Sequence, residues 1–79
     1  MKSYEERVKM ITDAAAQFPE AFGLRGFPGD VFRISKGASY VNDSGAVTLY
    51  TQRLVRPGGW LDFAKGTPGE LLAEVTPLS

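Results

Sequence analysis

The sequence predicts an α+β fold in which an N-terminal helix packs on a small antiparallel meander of three or four strands, followed by a candidate short C-terminal helix. Three observations predict it. Apolar residues repeat at helical spacing in residues 4–18, β-favouring runs separated by turn residues fill residues 31–64, and a helix start signal follows at Thr67. With 79 residues and a mass of 8.6 kDa, the chain has room for a single domain over residues 1–79.

The N-terminal helix is predicted to begin at a capping box formed by Ser3 and Glu6. The Ser3 hydroxyl can accept from the amide of Glu6, and the Glu6 carboxylate can accept from the amide of Ser3. One apolar face follows at spacings of three and four residues: Tyr4, Val8, Ile11, Ala15 and Phe18. Because Pro19 disfavours a helical residue before it, we expect the helix to end at about residue 18. Pro19 can also open one short extra turn that ends at Gly23.

Four β segments are predicted in the middle of the chain, after a glycine-rich loop at residues 23–30. They cover residues 31–35, 40–41, 46–56 and 60–64, and the last three are separated by the turn sequences Asn42–Gly45 and Pro57–Gly59. In the longest segment Val47 and Leu49 share one face, and the alternation then shifts near Leu54–Val55. That shift indicates a bulge or a change of face there.

The C-terminal segment admits two structures. Thr67 and Glu70 form a second capping box with a proline at the first helical position, and a short apolar face follows. We therefore expect a helix over residues 68–75. A strand over residues 71–76 is the alternative, because Gly69 weakens a helix by about 1 kcal/mol.

The composition narrows the classes of function. The chain has no cysteine and no histidine, which excludes disulfides, thiolate metal sites, cysteine nucleophiles and the commonest general base. Nine basic residues balance nine acidic ones, although residues 24–56 contain five basic and two acidic residues, a net charge of +3. No stretch has the pattern of a signal peptide or the length of a membrane span. We expect a cytoplasmic protein of bacterial or phage type that is not an enzyme and binds no cofactor or metal.

Two patterns that could carry chemistry are better explained by local structure. Gly23, Gly26 and Gly29 match neither a dinucleotide fingerprint nor a P-loop, and they suit a turn-rich connection. The carboxylates that could bind Mg²⁺ or exchange protons lack the spacing of known sites. They are Asp30, Asp43, Asp62, Glu70 and Glu74.

One face of the predicted sheet combines aromatic and basic side chains. The site prediction assumes that Leu49, Leu61 and Phe63 pack under the helix. Strand alternation then places Tyr50 and Trp60 on the opposite, outer face, with several arginines in the same region. The candidate partner-binding residues are Arg33, Tyr50, Arg53, Arg56 and Trp60. Such a set is typical of protein interfaces, and it can also stack single-stranded nucleic acid or simply cap the edge of the core.

The architecture resembles that of anti-CRISPR proteins directed at type I systems, which phages and mobile elements encode. The resemblance lies in a short cysteine-free chain with one amphipathic helix (Ser3–Phe18) and a small meander (Val31–Ala64), and it includes no shared motif. It implies a non-catalytic inhibitor that binds a subunit of the type I CRISPR surveillance complex or its nuclease. Many members are acidic and mimic DNA, whereas this chain is neutral, so steric blocking by the aromatic and charged face is the expected mechanism.

Two other functions stay open at this point. The same face suits a small domain that binds single-stranded nucleic acid. A neutral chain of this size can also gain core by pairing with a second copy as a self-associating structural or regulatory subunit. Both a monomer and a homodimer are therefore compatible with the sequence, and no membrane partner is expected.

Overall fold

The structure is a computed structural model that describes residues 2–78. Its elements, in chain order, are α1 (Tyr4–Ala15), β1 (Gly23–Leu24), β2 (Phe32–Val41), β3 (Val47–Val55), β4 (Gly59–Gly66), α2 (Pro68–Leu72) and β5 (Val75–Thr76). Strands β2, β3 and β4 form an antiparallel meander in that order, and β1 pairs with β5 in a separate two-stranded sheet. The predicted α+β fold, a helix on an antiparallel meander with a short C-terminal helix, is confirmed.

Helix α1 begins at the predicted capping box and ends earlier than predicted. The Ser3 hydroxyl accepts from the amide of Glu6 at 3.1 Å, and the Ser3 amide donates to the Glu6 carboxylate at 3.2 Å. The amide of Phe18 bonds to the carbonyl of Ala15, three residues back, which is the tighter geometry of a helix end. Pro19 restricts the residues before it, so the helix stops short of Phe18. Residues 19–22 contain no helical turn, so the extra turn considered after Pro19 is absent.

Strand β2 joins the two predicted segments at residues 31–35 and 40–41 through a bulge. Residues 36–39 lie where β3 has only Leu49. The buried Ser39 hydroxyl accepts from the amide of Tyr50 at 3.0 Å and donates to the carbonyl of Ser35 at 2.7 Å. These two bonds take the place of the ladder bonds that the bulge removes.

Strand β4 contains a second bulge, at Phe63 and Ala64, which lie where β3 has only Thr51. The fully buried Thr51 hydroxyl donates to the carbonyl of Ala64 at 3.0 Å and accepts from its amide at 3.2 Å. The expectation of a bulge or a change of face near Leu54–Val55 is wrong, because these residues pair regularly with Trp60 and Gly59. Side-chain hydroxyls therefore satisfy the backbone at both irregular places in the sheet.

The short sheet β1–β5 ties the glycine-rich segment to the C-terminus. Gly23 pairs with Thr76, and Leu24 pairs with Val75, so the predicted loop over residues 23–30 is wrong at its first two residues. A Cβ on Gly23 would lie 2.5 Å from the Thr76 hydroxyl, and glycine alone permits this approach. The C-terminal segment forms α2 and then β5, so each of its two expected structures is present in part.

The core lies between α1 and one face of the meander, which we call the inner face. Helix α1 packs mainly on β2 and β3, and α2 packs against β3 and β4. The buried apolar residues are Ile11, Ala14, Phe18, Phe22, Leu24, Phe32, Val41, Leu49 and Leu71. Leu49 is fully buried as expected, but Leu61 and Phe63 are 61% and 38% exposed. The assumption that both pack under the helix is wrong, because α1 packs mainly on β2 and β3, and β4 lies beyond them.

Candidate functional site

The outer face of the meander, on the side away from α1, carries the candidate site. Phe32 is fully buried in the core, so its neighbour Arg33 points to the outer face. The cross-strand pairing then assigns the other members of this face. The aromatic, amide and charged ones are Tyr40 on β2, Tyr50 and Gln52 on β3, and Trp60, Asp62 and Lys65 on β4. Ser35, Thr48 and Leu54 share this face.

Arg33 and Trp60 are brought together by a polar row that crosses all three strands. Arg33 Nε donates to Gln52 Oε1 at 2.9 Å, and Gln52 Nε2 donates to Asp62 Oδ1 at 3.0 Å. The Arg33 guanidinium carbon lies 4.3 Å from the centroid of the Trp60 ring, which is a cation–π contact. The row therefore holds the exposed Arg33 side chain against the only tryptophan in the chain.

A second pair of an aromatic ring and a cation, Tyr50 and Lys65, lies further along the outer face. Tyr50 and Lys65 are cross-strand partners, and Lys65 Nζ lies 5.9 Å from the centroid of the Tyr50 ring. Tyr40 pairs with Thr48 and is 43% exposed. The outer face thus presents three aromatic rings and two cations, with Asp62 as its acidic member.

Arg53 is not part of this face. It pairs with Phe32 on one side and Leu61 on the other, so it lies on the inner face, and its guanidinium group is 3.7 Å from the Asp30 carboxylate. The placement of Arg53 beside Tyr50 in the candidate set is therefore wrong. The sequence was sufficient to predict this, because Tyr50 and Arg53 are three residues apart, and such residues on a regular strand point to opposite faces.

Arg56 lies just past the end of β3 and is exposed. It borders a small surface cleft with Asp30, Val31 and Leu54, at the end of the sheet. Of the five candidate residues, the fold brings Arg33 and Trp60 into contact and places Tyr50 on the same face. It puts Arg53 on the inner face and leaves Arg56 past the end of β3.

Four of these outer-face members were absent from the candidate set: Tyr40, Gln52, Asp62 and Lys65. Strand parity explains the omission of Tyr40 and Lys65. Tyr40 is seven residues from Arg33, and Lys65 is three from Asp62, so a regular strand would put each pair on opposite faces. The bulges in β2 and β4 change that parity. The β2 bulge coincides with the gap between the predicted segments at residues 31–35 and 40–41. No local signal marks the β4 bulge, because Thr51 on the neighbouring strand supplies the hydroxyl that satisfies it.

Four of the five carboxylates considered for catalysis have a partner within the fold. Glu70 caps α2, Asp62 accepts from Gln52, Asp30 pairs with Arg53, and Glu74 lies 3.8 Å from Arg25. Among residues 2–78, no three histidine, cysteine or acidic side chains lie close enough together to hold a metal ion.

The groups whose pKa is shifted from its ordinary value lie on the two helices. The amide and hydroxyl of Ser3 lower the pKa of Glu6, and those of Thr67 lower the pKa of Glu70. The hydrogen bond from Lys9 to Asp13, at 2.7 Å, raises the pKa of Lys9. These groups serve helix capping and an exposed helix pair, and none of them lies on the outer face.

Comparisons of the chain with protein-family models, with curated proteins and with solved structures found no match. Over residues 2–78, no helix is long and apolar enough to cross a membrane.

Proposed function

We propose that this chain is a non-catalytic protein-binding inhibitor that uses the outer face of its meander. The observation that carries the proposal is the Arg33–Trp60 contact, held by Gln52 and Asp62. Tryptophan, tyrosine and arginine are the residues that contribute most often to binding energy in protein interfaces. Because the polar row orders Arg33 before binding, a partner does not have to restrict this long side chain, and the entropy cost of binding falls.

The architectural resemblance leads us to propose a partner in the cytoplasm of a bacterial host. That partner is a subunit of a type I CRISPR surveillance complex or its nuclease. The chain has a net charge of zero, and its outer face carries two cations and one carboxylate, which does not suit imitation of DNA. Steric occlusion of the partner's working surface is the mechanism that fits this charge.

The first experiment uses the tagged protein as bait in nuclease-treated lysate from bacteria with an active type I CRISPR system. The captured proteins are identified by mass spectrometry, and we expect subunits of the surveillance complex or the nuclease. Recovery of an unrelated protein would rule out a CRISPR target. The binding surface would then be tested with that protein. Capture that disappears only when the lysate is treated with nuclease would contradict direct protein binding.

The second experiment measures the affinity of point variants for the captured subunit by titration calorimetry. Trp60→Ala is expected to lower the affinity by about 30-fold, which corresponds to about 2 kcal/mol, and Arg33→Ala by about tenfold. Tyr4→Ala is the matched control, because Tyr4 is an aromatic residue that is 81% exposed and lies on α1. Normal binding by both outer-face variants, with folded circular dichroism spectra, would place the site elsewhere.

A single-stranded nucleic-acid-binding domain is the second candidate, favoured by the three outer-face aromatic rings beside Arg33 and Lys65. Stacking on such rings contributes about 1–3 kcal/mol per base. This function requires micromolar binding to an oligothymidylate that weakens steeply between about 50 and 200 mM salt, because phosphate contacts release counterions. Absence of binding at low salt would remove it.

A further inference from the structure

The exposed end of the inner face carries an apolar patch formed by Phe27, Leu61 and Phe63. These side chains are 42%, 61% and 38% exposed. The rings of Phe27 and Phe63 meet edge to face with their centroids 4.9 Å apart, so the patch is ordered. It lies next to β4, outside the area that α1 covers.

The chain exposes more surface than its mass requires. Its accessible area is 5312 Å², whereas a compact monomer of 8.6 kDa exposes roughly 4,700 Å². The excess of about 600 Å² approaches the ~800 Å² that each partner buries in a protein interface of standard size. The molecule measures 41 × 26 × 16 Å, and its thinness reflects a sheet that is only partly covered.

The two edges of the meander differ in how far their backbone groups are paired. The edge of β2 is engaged at Phe32, whose amide and carbonyl bond to Phe22 at 2.8 and 3.0 Å, and the bulge at residues 36–39 interrupts the rest. Among residues 2–78, no strand pairs with the second edge of β4. Strand β4 contains no proline, so its free edge can accept another strand.

The side chains of β4 are complementary to a second copy of β4. Asp62 and Lys65 both lie on the outer face, on either side of the bulge residues Phe63 and Ala64. When two β4 strands run antiparallel about a two-fold axis between residues 63 and 64, Asp62 of each copy lies opposite Lys65 of the other. Because both copies carry the bulge at the same place, outer-face residues still meet outer-face residues, and Phe63 stays on the inner face.

We propose that this chain forms a two-fold dimer through β4, with the apolar patch of each copy buried beside the new strand pair. The interface combines backbone pairing, two symmetry-related Asp62–Lys65 ion pairs and burial of Leu61 and Phe63. The interface shares Asp62 and Lys65 with the outer face. It forms without any other partner, so it does not rest on the proposed function. The result is a continuous six-stranded sheet with the two outer faces side by side.

The test is sedimentation equilibrium of the purified chain over a range of concentrations. We expect the mass to rise from 8.6 kDa to about twice that value. Leu61→Asp is expected to weaken the dimer by at least about tenfold, because it buries a carboxylate at the apolar centre of the interface. Tyr4→Asp is the matched control, since it also replaces an exposed apolar side chain with aspartate but lies on α1.

A charge exchange tests the register of the strands. Asp62→Lys is expected to weaken the dimer because it places like charges opposite each other, and the double variant Asp62→Lys with Lys65→Asp is expected to restore it. A mass of 8.6 kDa at all concentrations up to about 1 mM, a range that covers weak association, would overturn the proposal. A dimer that survives Leu61→Asp, or one that the double variant does not restore after Asp62→Lys has weakened it, would equally overturn it.

Discussion

The two faces of the meander hold their side chains by different means, and Phe32 and Arg33 show the difference at adjacent positions. Phe32 is fully buried between the sheet and its covering elements, where close packing and removal of apolar surface stabilise the fold. Arg33 is exposed, and hydrogen bonding to Gln52 and contact with Trp60 orient it. We therefore expect the inner face to provide most of the stability, and the outer face to present ordered side chains that contribute little to it.

The largest effect that tests this contrast comes from Phe32→Ala. Removing a buried phenylalanine costs about 3–5 kcal/mol of unfolding free energy, which is much of the stability of a domain this small. Arg33→Ala, one residue away, is expected to cost no more than about 1 kcal/mol. Urea denaturation followed by circular dichroism measures both, and equal losses would mean that the two faces do not differ in this way.

A smaller effect is expected from Thr51→Val, which keeps the shape of the side chain and removes its hydroxyl. The amide and carbonyl of Ala64 then lose their partner inside the β4 bulge, at a cost of about 1–3 kcal/mol. Thr48→Val is the matched control, because Thr48 lies on the outer face of the same strand. If denaturation shows the same loss for both variants, the buried hydroxyl does not support the bulge.

The outer face itself is tested by the fluorescence of Trp60, the single tryptophan. Arg33→Ala removes the cation over the ring, so we expect emission at longer wavelength as the indole becomes more accessible to water, with a stability loss of about 0.5–1 kcal/mol. Arg53→Ala changes a cation on the inner face and is expected to leave the emission unchanged. A shift of equal size in both variants would contradict the contact.

The smallest effect is the acid sensitivity of the helix caps. The pKa of Glu70 lies below its ordinary value of 4.5 because the amide of Thr67 donates to the carboxylate, so the folded state binds fewer protons than the unfolded state. The contribution to stability is present above pH 4.5 and is lost as the pH falls through the lowered pKa. Denaturation at a series of pH values is expected to show a shallower acid decline for Glu70→Gln, and an unchanged slope would contradict the capping role.

Local interactions explain why several elements could be predicted from the sequence. Both capping boxes form as expected, because each needs only residues three positions apart. The turn at residues 42–45 also forms, with Asn42 Oδ1 accepting from the amides of Ser44 and Ala46, and with Gly45 at a φ of 90°. Tyr50 and Trp60 reach the outer face because β3 alternates regularly along its whole length.

The sequence by itself therefore determined the fold class, the helix starts, the hairpin turn and the opposite faces of β3. Only the tertiary structure decided which outer-face residues meet, because the bulges in β2 and β4 change strand parity and bring Tyr40 and Lys65 to that face. It also decided the pairing of Gly23 with Thr76, which depends on a contact between distant parts of the chain. Helix α1 packs mainly on β2 and β3, so Leu61 and Phe63 on β4 stay exposed. The spacing of apolar residues in the sequence does not show how many strands a helix covers.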